Sequence, residues 1–201
     1  MSRTFVVSSV LAGLSRVAPT SHLVPKLIKQ LYEGAVGGPS HQYHWTASTQ
    51  PGDAQRMPAS TAHTARAALA LSQCRTSGLL SPRYEDLLSG ALLWLRQEGD
   101  LRSTVEEIVR FVDSRRENLV VKHFTAAWVG RFLSALGLSL QDPLLAKTSR
   151  LVLEAHREPW WRWDTGEYPI WMTYQGLSTL VRVAVVPSSS DDEPRQSASH
   201  S

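Results

Sequence analysis

Three observations predict an all-α fold assembled from helical hairpin repeats. First, one helix start recurs. Thr4-Phe-Val-Val-Ser-Ser-Val-Leu11, Thr64-Ala-Arg-Ala-Ala-Leu-Ala-Leu71, Thr125-Ala-Ala-Trp-Val-Gly-Arg-Phe132 and Thr173-Tyr-Gln-Gly-Leu-Ser-Thr-Leu180 each set a threonine seven residues ahead of a large apolar side chain. The starts lie 60, 61 and 48 residues apart, a period that points to an array whose units cannot bury their apolar faces alone. Second, the stretches between them carry apolar residues at helical spacing, bounded by caps and stops. Third, no credible strand-turn-strand pattern is present.

The first helix is expected over Thr4 to Val17. Ser21 then precedes a run of Leu23, Val24, Leu27, Ile28 and Leu31, with Pro25 tolerable in its first turn. Gly34 to Pro58 is a long polar stretch rich in Gly, Pro, His and Gln, and so large a loop is usually functional or disordered. A third helix covers about Thr61 to Gln73. Ser81-Pro82 opens a fourth through Leu87, Leu88, Ala91, Trp94 and Leu95, which Gly99 ends. Ser103-Thr-Val-Glu106 has the capping-box spacing and predicts a fifth helix using Val105, Ile108, Val109, Phe111 and Val112. A sixth is expected from Leu119 to Leu136. Asp142-Pro143 caps a seventh, and Tyr168-Pro169 opens the last, ending near Val186. One repeat domain thus occupies residues 1–186, and residues 187–201 form a tail with nothing to bury, expected to be disordered.

Composition narrows the function classes. The net charge is +3, and the tail's Asp191, Asp192 and Glu193 against Arg195 leave the remainder at +5. The longest basic doublet, Arg115-Arg116, stands beside Glu117, so no clustered stripe suggests nucleic acid as a partner. No apolar run reaches the ~18 residues of a membrane span. Cys74 is the single cysteine, which fits a reducing, cytoplasmic setting and reads as an ordinary half-buried thiol. Met1-Ser-Arg3 ahead of Phe5 to Leu14 has the outline of a signal peptide. The serines within it, Arg16 just after it and its match to the repeat favour a helix.

Between the threonine helices lie polar, Trp-bearing segments. Ala91-Leu-Leu-Trp94-Leu-Arg-Gln97-Glu-Gly99 and the stretch from Trp160-Trp161-Arg-Trp163 through Gly166, Pro169 and Trp171 to Thr173 are the clearest. This pattern resembles the α/α-toroid repeat of the squalene cyclase and protein prenyltransferase superfamily over most of residues 1–186. The resemblance implies an open toroid of about four repeats, with the threonine helices as its inner ring. It does not extend to the superfamily's catalytic motifs. Where the cyclases place an aspartic acid before a Thr-Ala helix start, this chain has Ser60-Thr61-Ala62-His63. Cys74 lacks the surroundings of the prenyltransferase zinc ligand. No metal and no cofactor is implied.

Candidate binding residues follow from the same reading. Trp163, Trp171 and Tyr174 belong to an aromatic cluster that suits sugar rings or a terpenoid, or that simply pins a loop onto helix ends. Asp164 and Glu167, three apart near Gly166, read as surface or capping groups rather than a glycosidase pair. Trp128 lies on the third threonine helix. His63 and His123 stand just before Thr64 and Thr125, so inner helices around a cavity bring these histidines and Thr64, Thr125 and Thr173 to one mouth. Helix capping is the plainer role for the threonines. His41-Gln-Tyr-His44, with His63, Asp53 and Cys74, lacks a defined third metal ligand. The leading expectation is a non-catalytic interaction or scaffold module, its toroid completed by a protein partner or by self-association. The alternative is a binder of, or enzyme for, an apolar terpenoid or isoprenoid.

Overall fold

Helices α1 (Thr4–Val17), α2 (Leu23–Glu33), α3 (Pro51–Ala54), α4 (Thr61–Thr76), α5 (Glu85–Glu98), α6 (Thr125–Ala135), α7 (Pro143–Glu154) and α8 (Ile170–Val185) make the fold mostly helical. The structure, a computed structural model, describes residues 3–104, 106–109, 119–157, 160–161 and 170–185, with the backbone alone at 39, 106–109, 119–121 and 185. The expected tail therefore lies outside the described residues, as do Trp163, Asp164 and Glu167.

The helices fall into two rows. The front row is α1, α4, α6 and α8, each packed on the next, while α2, α5 and α7 stand behind α1, α4 and α6. The front helices run parallel, because like heights meet. Arg66 reaches Ser9 and stacks on Trp128, His63 faces His123, and Met172 near the start of α8 borders one pocket with Thr125 at the start of α6. α4 occupies the middle of the row and is buried from Thr61 through Ser72. Its alanines at 62, 65, 67, 68 and 70 suit that place, since small side chains let neighbouring helices approach on every side.

Helix ends follow local chemistry. Ser60 Oγ accepts from the His63 amide (3.3 Å) and starts α4, and Asp142 Oδ1 accepts from the amides of Leu144 and Leu145 at 2.9 and 3.1 Å to start α7. Gly78 (φ +69°) and Gly137 (φ +81°) adopt the left-handed conformation that stops α4 and α6. The Leu79 amide reaches back to Cys74 O and the Leu138 amide to Leu133 O, the double-bonded stop that glycine permits.

Contrary to the expectation of no strand pairing, every return from the back row to the front row carries a two-stranded antiparallel ribbon. β1 (Val36–Gly37) pairs with β2 (Tyr43–His44), β3 (Glu106–Val109) with β4 (Leu119–Lys122), and β5 (His156–Arg157) with β6 (Trp160–Trp161). The expected fifth helix is thus replaced by β3 over its described part. The sixth loses its first residues to β4 and begins at Thr125. Glu106 pairs across to Lys122 instead of closing a capping box. The segment from Gly34 to Pro58 is likewise built into the fold, with Trp45, Thr46, Ser48 and Thr49 buried.

The recurring threonines do a different job from capping. Thr4 Oγ1 donates to Thr46 O (2.7 Å) and Thr125 Oγ1 to Ser103 O (2.5 Å). Thr64 Oγ1 accepts from the Trp45 amide (2.9 Å), and Thr173 Oγ1 accepts from the Trp161 amide (3.2 Å). Each hydroxyl ties its helix to a connecting segment. Trp45 and Trp161 are equivalent twice over, because each indole N–H also donates at 2.8 Å to the back-row helix before it, at Leu31 O and Val152 O. Each therefore bonds to the back helix before it and the front helix after it.

Candidate functional site

One cavity of about 430 Å³ is bordered by all four front helices. α1 supplies Ser8, Ser9, Ala12, Gly13, Arg16 and Val17 as one wall, and α4 supplies Arg66, Leu69, Ala70 and Gln73 as the floor. Trp128 and Arg131 of α6, with Tyr174 of α8, form the opposite wall. The volume suits a small organic molecule. No Asp, Glu, His, Lys or Cys is among these lining residues, so they offer binding and stacking but no carboxylic acid to protonate an alkene.

A ladder of rings and guanidinium groups runs along one side. The Arg66 guanidinium lies 3.8 Å from the Phe5 ring centre and 4.3 Å from that of Trp128, and Arg131 lies 4.5 Å from the same Trp128 ring. Each is a cation over an aromatic face, the arrangement a ring quadrupole favours. The two arginines differ in their tethers. Arg66 donates to Ser9 Oγ at 2.7 Å and meets His123 Nδ1 at 3.4 Å. Arg131, equally buried, has Nε and Nη1 without a hydrogen-bond partner, as has the Trp128 indole N–H. Burial pushes the Arg131 guanidinium down to about 10, with Arg182 and Arg16 acting in the same direction and Tyr174 opposing them.

The expected site residues separate. Trp128 and Tyr174 line the cavity; Trp171 does not, and stands 41% exposed on α8. Trp163 lies outside the described residues. His63 and His123 are buried side by side with ring centres 5.6 Å apart, and the His63 Nδ1 pairs with Ser60 Oγ at 2.8 Å. They sit at the starts of their helices, and His123 instead borders a smaller pocket of about 190 Å³ with Phe124, Thr125 and Met172. The arginines were missed. The one signal for Arg131 in the sequence is its place in an otherwise apolar helix, Trp128-Val-Gly-Arg-Phe-Leu133.

Among the described residues no three His, Cys, Asp or Glu side chains gather as a metal site requires, and no helix is long and apolar enough to cross a membrane. Cys74 is fully buried rather than half-buried. Burial raises its thiol to about 11 against the opposing hydrogen bond from Ser15, which makes it a poor nucleophile. Compared with protein-family models, curated proteins and solved structures, the chain gives no match.

Proposed function

We propose that this chain is a small-molecule binding protein shaped as an open α/α toroid of the squalene cyclase and prenyltransferase kind, holding an apolar-bodied ligand between its inner helices. The toroid reading is supported by the parallel front row, by one back helix per front helix over the first three units, and by the ribbon at each return. The observation that carries the binding reading is the cavity shared by α1, α4, α6 and α8. Its lack of a lining carboxylate favours binding over cyclase-type protonation.

Gly13 supplies the test. It lines the cavity at an exposed position, and a Cβ built there meets nothing within 4 Å, so Gly13→Leu places its added bulk in open space at the cavity rim. Calorimetric titration with an isoprenoid alcohol such as farnesol should give binding that weakens at least roughly tenfold in Gly13→Leu. Absence of binding to the wild type, or equal binding by both proteins, rejects the cavity as the site.

A scaffold role has its own support. Ile170, Tyr174, Leu177 and Val181 follow one stripe of α8 and are 79, 63, 53 and 55% exposed, an edge that a protein partner or a second copy covers in this reading. Light scattering across a concentration series tests self-association: a mass that stays monomeric and is unchanged by Leu177→Asp removes that part.

A further inference from the structure

The cavity's charges are one-sided. Arg16, Arg66 and Arg131 line it without any acidic residue among the lining, and Arg182 adds its field at Arg131. Proteins seldom leave a buried cation without a partner, because the lost hydration is not returned. Arg66 is satisfied by its hydroxyl and imidazole contacts and by two aromatic faces. Arg131 is only 8% exposed, keeps Nε and Nη1 unpaired, and has the unpaired Trp128 indole N–H beside it. Three donors therefore lie unpaired within the wall that Trp128 and Arg131 form, and among the described residues the cavity's one unpaired acceptor is the neutral Gln73 Oε1 on the floor. The rest of the lining is different in kind, with Ala12, Leu69 and Ala70 presenting apolar surface and Tyr174 a ring.

We infer that the cavity takes a small organic oxyanion, a carboxylate or phosphate ester on an apolar body, with the oxyanion held at Arg131 and the body lying over Ala12, Leu69 and Ala70. This rests on the cavity reading proposed above and adds the chemical class of its ligand. A guanidinium matches the paired oxygens of either headgroup, and charge-assisted bonds in a site walled by protein are the strong ones. Arg66 acts here as a positioning residue, since its stack holds the Trp128 ring against Arg131.

The test uses the whole chain and four probes: decanol, decanoate, decyl phosphate and inorganic phosphate, titrated calorimetrically at low salt. Decanoate or decyl phosphate should bind roughly 10- to 100-fold more tightly than decanol, the size expected for hydrogen bonds to a charged group. In Arg131→Met that preference should collapse while decanol affinity stays as it was. Arg131→Gln, which keeps a polar side chain but no charge, should behave the same way and guards against a packing effect of Met. Gly13→Leu should abolish binding of both decyl anions. A carboxylate-only or phosphate-only preference upholds the inference and names the headgroup.

Decanol binding as tightly as the anions overturns the inference and leaves the cavity reading standing. A preference that survives both Arg131 variants overturns it as well. No binding by any decyl compound removes both. Binding of inorganic phosphate alone, unaffected by Gly13→Leu, places the anion outside the cavity and also counts against the inference.

Discussion

The two ends of the front row are built to different standards of polar satisfaction. At the N-terminal end, Thr4, Thr64, Thr125 and Thr173 all bond to connecting segments, His63 pairs with Ser60, and Arg66 bridges Ser9 and His123. Around the cavity on the same helices, Gln73 Oε1, Trp128 Nε1 and two nitrogens of Arg131 stand without partners, and His44 Nδ1, Ser149 Oγ and Gln175 Oε1 do so elsewhere. Polar groups buried in a scaffold are satisfied, because each orphan costs on the order of 1–3 kcal/mol. Under the binding reading proposed above, the four orphan atoms around the cavity are where a bound ligand would offset that cost.

That contrast breaks first at Trp45, where the largest effect is expected. Its side chain is fully buried and its indole and amide bond to Leu31 and Thr64. Trp45→Ala should cost about 3–5 kcal/mol in denaturant unfolding, the range for truncating a buried tryptophan. A loss below about 1 kcal/mol would show that the tie is dispensable and the N-terminal end is not the scaffold.

The two arginines give the sharpest comparison, since their expected signs are opposite. Arg131→Met removes a buried cation whose Nε and Nη1 make no hydrogen bond and that rests only on the Trp128 ring, and should stabilise the ligand-free protein by roughly 1–4 kcal/mol. Arg66→Met removes a tethered one and should destabilise it by about 1–3 kcal/mol, through lost hydrogen bonds to a charged group. Melting temperatures that move the same way in both variants would erase the distinction between the two ends.

The smallest effect concerns pH, at His44 on the first ribbon, stacked 5.3 Å from Trp94. Burial lowers its pKa below the usual 6.5. The folded state therefore takes up its proton later than the unfolded state as pH falls. Stability from this group is present above about 6.5 and is lost as pH drops through the lower folded value. His44→Phe should flatten that acid limb in urea midpoints measured between pH 7 and 5, and an unchanged slope would assign the acid sensitivity elsewhere.

How much of this was legible depended on the range of the forces involved. Asp142-Pro143, Ser60 and Ser81-Pro82 mark helix starts by chemistry that acts within one turn, and α1, α2, α5 and α7 lie where period and caps put them. Ser103 to Phe111 misled. Its Val105, Ile108 and Val109 have helical spacing, yet the described residues 106–109 form β3 against β4. Short apolar runs carry either period, and pairing with a strand ten residues further on decides between them.

The site was less legible than the scaffold. Trp128 and Tyr174 were visible as aromatic side chains on front helices, whereas Arg131 becomes distinctive only when α6 is enclosed by α4, α7 and α8. Nothing in the neighbouring residues shows that its guanidinium will lack an acid.

By itself, then, the sequence determined that this chain makes helices, where most of them start, and that a threonine stands in the first turn of each front helix. Those are local consequences of propensity, capping and apolar period. The tertiary structure alone decided that the threonines bind connecting segments, that Trp45 and Trp161 tie two rows together, and that three arginines meet in one cavity. Those outcomes depend on groups far apart in the chain, 57 positions for Arg66 and Ser9 and more for Arg16 and Arg131, brought together only when the rows pack.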